Sequence, residues 1–207
     1  MFDRAAHWQQ VYETKSPLEV SWYQQEPRLS LELIEHARID PVGGDGGIID
    51  VGGGASLLVD RLCALGYRQL AVLDISASAL AWARERLGEQ AAAIDWINCD
   101  ITRFVPPRRY ALWHDRAVFH FLTEAADRAA YRAALEQALV PGGQLIIGAF
   151  AIGGPLQCSG LDIVQYDAAK LQQELGDGFE LLEQTSEQHR TPAGKDQAFN
   201  FCRFRRL

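Results

Sequence analysis

The residues with the clearest chemical potential are an acid and three glycines at the end of an apolar run. Asp50 is followed by Val51 and then by Gly52, Gly53 and Gly54. Glycine loses more conformational entropy on folding than any other residue, so three in succession indicate either positive φ or a backbone that a ligand approaches closely. The carboxylate of Asp50 favours a ligand whose nearby group is cationic or donates hydrogen bonds.

The elements that must position this turn alternate along the chain. Short apolar runs separated by amphipathic segments are typical of βαβ units and of a parallel sheet with helices on both faces. The predicted strands are Gly47–Val51, Gln69–Asp74, Ala93–Asn98, Tyr110–His114 and Gln144–Phe150. The predicted helices between them are Ala55–Leu65, Ala77–Leu87 and Thr123–Leu139, the last one ended by Pro141-Gly142-Gly143.

The pattern changes toward both ends of the chain. Two further runs, Phe179–Glu187 and Gln197–Phe204, are joined by a turn containing Pro192 and Gly194, which predicts an antiparallel hairpin. Near the start, a helix is predicted from about Pro27 to Ala37. We therefore predict an α/β fold: a three-layer, Rossmann-like, seven-stranded and mostly parallel sheet with a terminal antiparallel hairpin. Residues 1–40 are expected to form an N-terminal helical lid, and residues 41–207 the main domain of one compact unit.

Composition excludes several classes of protein. The chain has 207 residues and a formal net charge of -7, which argues against a protein that wraps a nucleic-acid backbone. No apolar run approaches the ~20 residues of a membrane span, so a cytoplasmic protein without a membrane partner is expected. The four cysteines lack metal-ligand spacing, so no metal site is predicted. The sequence does not predict an oligomeric state.

The glycine turn distinguishes two kinds of nucleotide site. A dinucleotide fingerprint requires a third glycine three residues after Gly54, and Leu57 occupies that place. A pyrophosphate would also gain nothing from a carboxylate at Asp50. The pattern Asp50-Val51-Gly52-Gly53-Gly54 instead resembles the first motif, D-x-G-x-G, of the class I S-adenosylmethionine-dependent methyltransferases. The resemblance implies that S-adenosylmethionine is the cofactor and that its methionine portion lies against the glycine turn.

Two later acids stand where this family binds the rest of the cofactor. The resemblance implies that Asp74 accepts hydrogen bonds from the ribose hydroxyls and that Asp100 accepts from the adenine amino group. Ile75 and Ile101 are then placed to sandwich the adenine ring. The simpler alternative is that an acid at a strand end caps the next helix, as the stretch Asp74-Ile75-Ser76 could do without binding a ligand.

The fourth strand carries a second, shorter resemblance. The run Trp113-His114-Asp115-Arg116 is similar to the W-D-R of thiopurine methyltransferase and its bacterial relatives, whose N-terminal segments also carry spaced aromatic residues. This likeness implies a lid over the cofactor, with Trp22 and Arg116 on the cofactor and with Trp8, Tyr12 and Tyr23 on the acceptor. The alternative is that these aromatic residues only pack the N-terminal helix on the sheet.

The same strand supplies the catalytic candidates, His114 and Asp115. At the carboxyl end of the strand, His114 is able to act as a general base for an amine, hydroxyl or thiol. Equally, its imidazole can be structural, hydrogen-bonded to Asp115 or to backbone. Methyltransferases that act on amino groups of bases or on amide side chains often carry an N-P-P-Y-like signature at this strand. Here His114-Asp115-Arg116 replaces it, so the sequence does not favour that class of acceptor.

Later loops add the remaining acceptor candidates, which are Cys158, Tyr166 and His189. The predicted function is S-adenosylmethionine-dependent methyl transfer to a small molecule: a thiol, metalloid anion, amine or hydroxyl. A protein lysine methyltransferase is the first alternative. An NAD(P)-binding oxidoreductase and a catalytically silent cofactor-binding module are the others.

Overall fold

A seven-stranded sheet forms the centre of the molecule in the computed structural model, which describes residues 2–42, 44 and 46–207. Its spatial order is β3-β2-β1-β4-β5-β9-β8. The strands of the sheet are β1 (Ile48–Val51), β2 (Leu70–Asp74), β3 (Ile94–Asn98), β4 (Tyr110–Arg116), β5 (Leu139–Phe150), β8 (Phe179–Arg190) and β9 (Asp196–Arg206). Two short strands, β6 (Gln157–Cys158) and β7 (Leu161–Asp162), pair separately.

Helices cover both faces of this sheet. Helices α2, α3 and α4 pack their apolar residues on one face, and α5 and α6 pack on the other. The helices are α1 (Arg4–Thr14), α2 (Arg28–Ala37), α3 (Leu58–Ala64), α4 (Ala77–Leu87), α5 (Ala125–Ala138) and α6 (Ala168–Leu175). The predicted three-layer α/β fold is therefore confirmed.

The order of the strands fixes where a ligand can bind. β1 pairs in parallel with β2 on one side and with β4 on the other, so the chain reverses its direction of winding between β1 and β4. In open α/β sheets such a switch point opens a crevice at the carboxyl ends of the strands. Asp50, Asp74 and Arg116 all lie at or next to those ends.

The terminal strands form the predicted antiparallel hairpin. β9 pairs antiparallel with both β5 and β8, and the β8–β9 pairing runs from Phe179↔Arg206 to Arg190↔Asp196. The sequence placed the end of β8 at Glu187, three residues too early. Among the described residues, no helix is long and apolar enough to cross a membrane.

The starts of α3 and β5 differ from the prediction in ways that have a local cause. α3 begins at Leu58 rather than Ala55, because the glycine turn continues through Ser56. β5 begins at Leu139 and contains Pro141–Gly143, which the sequence placed before the strand. The register shifts there from Tyr110↔Leu139 to Leu112↔Gln144, so these residues form a bulge within the strand. α1 was not located by its own pattern, since its apolar residues lack a clear helical period.

Successive residues of β4 point to opposite faces of the sheet. Leu112 belongs to the apolar cluster on the α2–α4 face, and Trp113 belongs to the cluster on the α5–α6 face. His114 consequently lies on the first face and Asp115 on the second. The two side chains cannot hydrogen-bond to each other, so this expectation for His114 is wrong.

Asp115 belongs to a buried polar network on the α5 face. The hydroxyl of Tyr131 donates to Asp115 Oδ2 at 2.8 Å and accepts from Trp113 Nε1 at 2.9 Å. The backbone amides of Val118 and Phe119 also donate to this carboxylate. Burial raises the pKa of Asp115 to about 6, although these hydrogen bonds act to lower it. Asp115 has no exposed surface, so the structure places it as a support for the turn after β4 rather than as a catalytic group.

We expect Tyr131→Phe to lower the free energy of unfolding by about 1–3 kcal/mol, because it leaves two buried polar groups short of a partner. Denaturant unfolding followed by tryptophan fluorescence measures this change.

Tyr110→Phe is the matched control. The Tyr110 hydroxyl is also buried but has no hydrogen-bond partner in the part of the chain that the structure describes. Removing it should leave the stability unchanged or slightly raised. Equal losses in both variants would contradict the role given to the Asp115 network.

Candidate functional site

The first cavity at the carboxyl edge, called here the main cleft, lies between the ends of β2, β3 and β4 and the N-terminal segment. It encloses about 750 Å3 when the space at its open mouth is included. Its lining from the sheet side includes Asp74, Ile75, Cys99, Asp100, Ile101, Arg116, Ala117 and Val118. Its lining from the other side includes Arg4, Trp8, Tyr12, Trp22, Phe121, Leu122 and Cys158.

A second cavity, the glycine-loop cavity, adjoins the main cleft. Both cavities are lined by Trp22, Gly52 and Arg116, so they form the two limbs of one bent site. The other residues that line the glycine-loop cavity include Tyr23, Gln24, Ser30, Asp50, Gly53, Ser56 and His114.

The glycines are needed by the protein itself as well as by any ligand. Gly52 has φ +70°, and a Cβ there would lie 2.1 Å from a methyl of Val118. A Cβ on Gly53 would lie 2.5 Å from Asp50 Oδ2, and one on Gly54 would lie 2.5 Å from Asp74 Oδ2. The turn therefore runs in direct contact with both acids, which only glycine permits.

The Asp74 carboxylate is buried, and few hydrogen bonds offset the free-energy cost of that burial. Its Oδ1 accepts from the backbone amide of Ser76 at 2.8 Å. Burial raises the pKa of Asp74 to about 7, and the nearby charge of Asp50 adds to this, while the Ser76 hydrogen bond opposes it. The cap of α4 is Ser76, whose hydroxyl accepts from Ala79 N. Asp74 is thus left facing the cleft instead of serving as the helix cap.

Asp50 and His114 form a buried pair in the glycine-loop cavity. His114 Nδ1 lies 2.7 Å from Asp50 Oδ1, and His114 Nε2 lies 2.9 Å from Ser30 Oγ. Both ring nitrogens are therefore occupied within the protein. The structural alternative for His114 fits this geometry, with partners that differ from those the sequence suggested.

Asp100 and the two isoleucines lie at the far end of the main cleft. Asp100 Oδ1 accepts from the backbone amide and the hydroxyl of Thr102, so this acid caps the short turn Ile101–Arg103. Ile75 and Ile101 line the same part of the cleft. The structure brings these three residues together next to Asp74, as the sequence predicted.

Arg116 stands where the two cavities meet. Its Nη1 donates to the carbonyl of Trp22 at 2.9 Å, and its Nη2 lies 3.6 Å from Glu187 Oε2. Its guanidinium packs over the ring of Phe199, and burial lowers its pKa. Glu187 is a contact that the sequence did not indicate, because an acid on an exposed β-strand carries no distinguishing signal.

The N-terminal aromatic residues cover the main cleft. Trp8 packs edge-on against Trp22 and Phe121, with ring centroids 5.5 and 5.0 Å apart. Trp22 Nε1 donates to the hydroxyl of Tyr12 at 3.1 Å. Burial raises the pKa of Tyr12. These rings form a continuous aromatic roof.

Two polar contacts hold α1 across the cleft, and sequence reasoning missed both. On one side, Gln9 Oε1 accepts from Ser76 Oγ at 3.1 Å and from Ser78 N at 3.2 Å, near the start of α4. On the other side, Arg4 forms an ion pair with Asp127 of α5. Neither contact had a motif to reveal it, since each joins residues far apart in the chain.

The later loops contribute only one of their three candidates to the cleft. Cys158 lines it, and burial raises the pKa of this thiol to about 11. Tyr166 is fully buried against Phe119 in the core on the α5–α6 face, because its segment packs under the sheet edge. His189 Nε2 contacts the carbonyl of Ser21 at 2.7 Å, outside the bent site. The expectation that Tyr166 and His189 line the acceptor pocket is therefore wrong.

Comparisons with known proteins agree with this geometry. Residues 48–143 match the family model described as a methyltransferase domain. Among curated proteins, none matches the chain by sequence.

Similar solved structures cover the whole chain. A protein from a study of the conversion of a disulfide bond into a thioacetal group during echinomycin biosynthesis is 20% identical, with a TM-score of 0.79 over 99% of this chain and 92% of that chain. The S-adenosylmethionine-dependent methyltransferase from Anabaena variabilis ATCC 29413 is 16% identical, with a TM-score of 0.77 over 100% and 96% of the two chains. The N-methyltransferase NodS from Bradyrhizobium japonicum WM9, in complex with S-adenosyl-L-homocysteine, is 19% identical, with a TM-score of 0.72 over 99% of each chain.

At these identities the likeness to the solved structures is one of fold, and it extends beyond the residues matched by the family model. The closer likeness to thiopurine methyltransferase has no support among these comparisons. The methyltransferase-domain match over residues 48–143, the seven-stranded sheet and the glycine turn at its switch point together support a class I S-adenosylmethionine-dependent methyltransferase.

Proposed function

We propose that S-adenosylmethionine binds with its adenosine in the main cleft and its amino-acid end in the glycine-loop cavity. The observation that carries this proposal is the pair of buried acids, Asp50 and Asp74. Asp50 Oδ2 has no hydrogen-bond partner among the described residues, and the Asp74 carboxylate accepts from backbone amides, with Ser76 N at 2.8 Å. Buried carboxylates are costly unless they are paired, and the cofactor supplies an ammonium and two ribose hydroxyls.

The remaining cofactor contacts follow from this placement. Asp74 accepts from the ribose hydroxyls, and Ile75 and Ile101 hold the adenine between them, with Asp100 at its edge. Gly52, Gly53 and Gly54 let the backbone approach the amino-acid end. Trp22 and Arg116, which line both limbs, lie near the point where the limbs join. When bound, the cofactor supplies a methyl group activated by a sulfonium.

The acceptor is proposed to be a small molecule bound under the aromatic roof. Trp8, Tyr12 and Trp22 exclude water from this part of the cleft, and their faces suit a nearby cation. Because both nitrogens of His114 are occupied, the ring offers no free base to the acceptor. A thiolate or metalloid anion needs no such base, so these acceptors are favoured over amines and hydroxyls.

Residues 1–40 are proposed to act as a lid on the main domain, residues 41–207. α1 reaches across the cleft and is fixed through Gln9 to α4 and through Arg4 to α5. Its opening would break these polar contacts and the packing of Trp8 on Phe121, and would admit the ligands to the cleft.

Calorimetry with S-adenosylhomocysteine and NADH tests the cofactor assignment. We expect S-adenosylhomocysteine to bind the wild-type protein and NADH not to bind. Gly52→Val should abolish the binding, because its side chain meets Val118 and fills the space beside the turn. The control is Gly66→Val, since Gly66 also has positive φ (+89°) but stands in open space before β2. Binding of NADH alone, or unimpaired binding by a folded Gly52→Val protein, would overturn the assignment.

The affinity for S-adenosylhomocysteine should depend on pH through Asp74. Its raised pKa means that the free protein holds a proton on Asp74 below pH of about 7, and this proton must leave before both ribose hydroxyls can donate. Affinity should be constant above about pH 8 and fall by up to about tenfold per pH unit below 7. Calorimetry across this range measures it, and Asp74→Asn should bind more weakly at pH 8 with little dependence on pH.

The raised pKa of Asp74 also makes the stability of the ligand-free protein depend on pH, in the opposite direction to the affinity. A carboxyl whose pKa is higher in the folded state than in the unfolded state stabilises the fold at low pH, and this contribution is lost as pH rises through about 7. Asp74→Asn should therefore raise the melting temperature of the free protein at pH 8 more than at pH 5. An unchanged or lowered melting temperature at pH 8 would contradict the buried charge.

Turnover tests the acceptor and the lid together. Release of S-adenosylhomocysteine should be fastest with thiols or metalloid anions and slower with phenols and amines. A protein lacking residues 1–26 should keep its sheet yet lose turnover, because the acceptor pocket loses its cover. Full turnover by the truncated protein would show that the aromatic residues are only part of the core.

A further inference from the structure

Three buried polar side chains form a linear relay beneath the glycine-loop cavity. Ser30 Oγ lies 2.9 Å from His114 Nε2, and His114 Nδ1 lies 2.7 Å from Asp50 Oδ1. The exposures of the three residues are 2%, 3% and 4%. They come from α2, β4 and β1, and Asp50 and His114 stand directly opposite each other in the parallel β1–β4 register.

Within the part of the chain that the structure describes, the relay leaves one of its buried polar atoms, Asp50 Oδ2, without a partner. This atom lies against Gly53, where a Cβ would come within 2.5 Å of it. All three relay residues line the glycine-loop cavity together with Gly52 and Gly53. The relay therefore ends on an oxygen that requires a donor from the ligand.

The hydrogen bonds have a direction. A carboxylate only accepts, so His114 Nδ1 donates to Asp50. In the neutral imidazole Nε2 then carries the lone pair, and the Ser30 hydroxyl donates to it. Asp50 thus selects the tautomer whose proton faces it, and the Ser30 hydroxyl fixes the other end of the ring. Without this hydroxyl, the ring would lose one of the two hydrogen bonds that set its orientation toward Asp50 Oδ1.

The same three residue types form the catalytic triad of many hydrolases, but here the other end of the relay is directed at the ligand. In a hydrolase the serine oxygen is the reactive end and the acid is its remote support. Here the acid carries the oxygen that has no partner among the described residues, and Ser30 lies at the other end of the relay, on α2. The arrangement suits the orientation of a carboxylate toward a cation, and not nucleophilic attack by Ser30.

We infer that Ser30 is a positioning residue that acts through His114 to hold Asp50 Oδ2 toward the ammonium group of the cofactor. This inference rests on the proposed cofactor orientation. It makes α2 part of the recognition of the amino-acid end of the cofactor, although α2 donates no group to the ligand. Ser30 therefore contributes to the choice between a nucleoside with this end and one without it.

Two ligands separate positioning from structural support. S-adenosylhomocysteine carries the amino-acid end, and 5′-methylthioadenosine lacks it but keeps the adenosine. We expect Ser30→Ala to raise the dissociation constant of S-adenosylhomocysteine by about tenfold and to change that of 5′-methylthioadenosine by less than about twofold. Ser30→Thr keeps the hydroxyl and should restore most of the affinity.

Each other result overturns a distinct statement. Equal losses for both ligands would reduce Ser30 to a support of the fold, and an unchanged affinity for S-adenosylhomocysteine would make the relay idle. If the wild-type protein bound neither ligand, the proposed cofactor site itself would fail. Should Ser30→Ala not fold, 15N NMR of the wild-type imidazole decides instead. A proton on Nδ1 supports the relay, and a neutral ring protonated only at Nε2 overturns it.

Discussion

The burial of two carboxylates at the ends of neighbouring parallel strands is the constraint on which the rest of the site depends. Asp50 and Asp74 are both nearly inaccessible to solvent, and the charge of Asp50 adds to the effect of burial in raising the pKa of Asp74. Buried carboxylates of this kind are often less favourable for the fold than apolar residues of similar volume. The proposed ligand would bring donors to both acids at once.

The surrounding structure accommodates these acids in different ways. Asp50 is held by the relay through His114, while Asp74 accepts from backbone amides and carries the raised pKa. The glycine turn passes between the two carboxylates, so its three glycines reflect the space taken by these oxygens as much as the approach of a ligand. The acids and the glycines thus form one structural unit.

Because side chains alternate along β4, its adjacent residues His114 and Asp115 support different parts of the structure around the switch point. His114 faces α2 and lines the glycine-loop cavity, while Asp115 faces α5 and fixes the turn that follows the strand. That turn carries Val118 toward Gly52 and Phe121 toward the aromatic roof. Two adjacent residues of one strand therefore support the two sides of the cleft, and neither presents a free base to the acceptor.

The sequence predicted what depends on local pattern. α4 was placed correctly from Ala77 to Leu87, because its cap, its helix formers and its closing glycine agree. The sequence pattern did not predict the relay. Ser30 and His114 are 84 residues apart, and a single serine on the apolar face of a helix does not indicate a functional residue. His114 and Asp115 are adjacent on a strand, so their side chains must point to opposite faces of the sheet. The expectation of a hydrogen bond between them did not take this alternation into account.

The cleft also contains two thiols, and their chemistry bears on how a methyl donor survives there. Cys99 and Cys158 both line the main cleft, and thiolates are strong nucleophiles toward a sulfonium methyl. Burial raises the pKa of both, that of Cys158 to about 11, so at neutral pH Cys158 stays protonated. Arg116 acts in the opposite direction on Cys158, but burial outweighs it. Under the proposed cofactor placement, the protonated Cys158 thiol would be a weak nucleophile toward the sulfonium methyl.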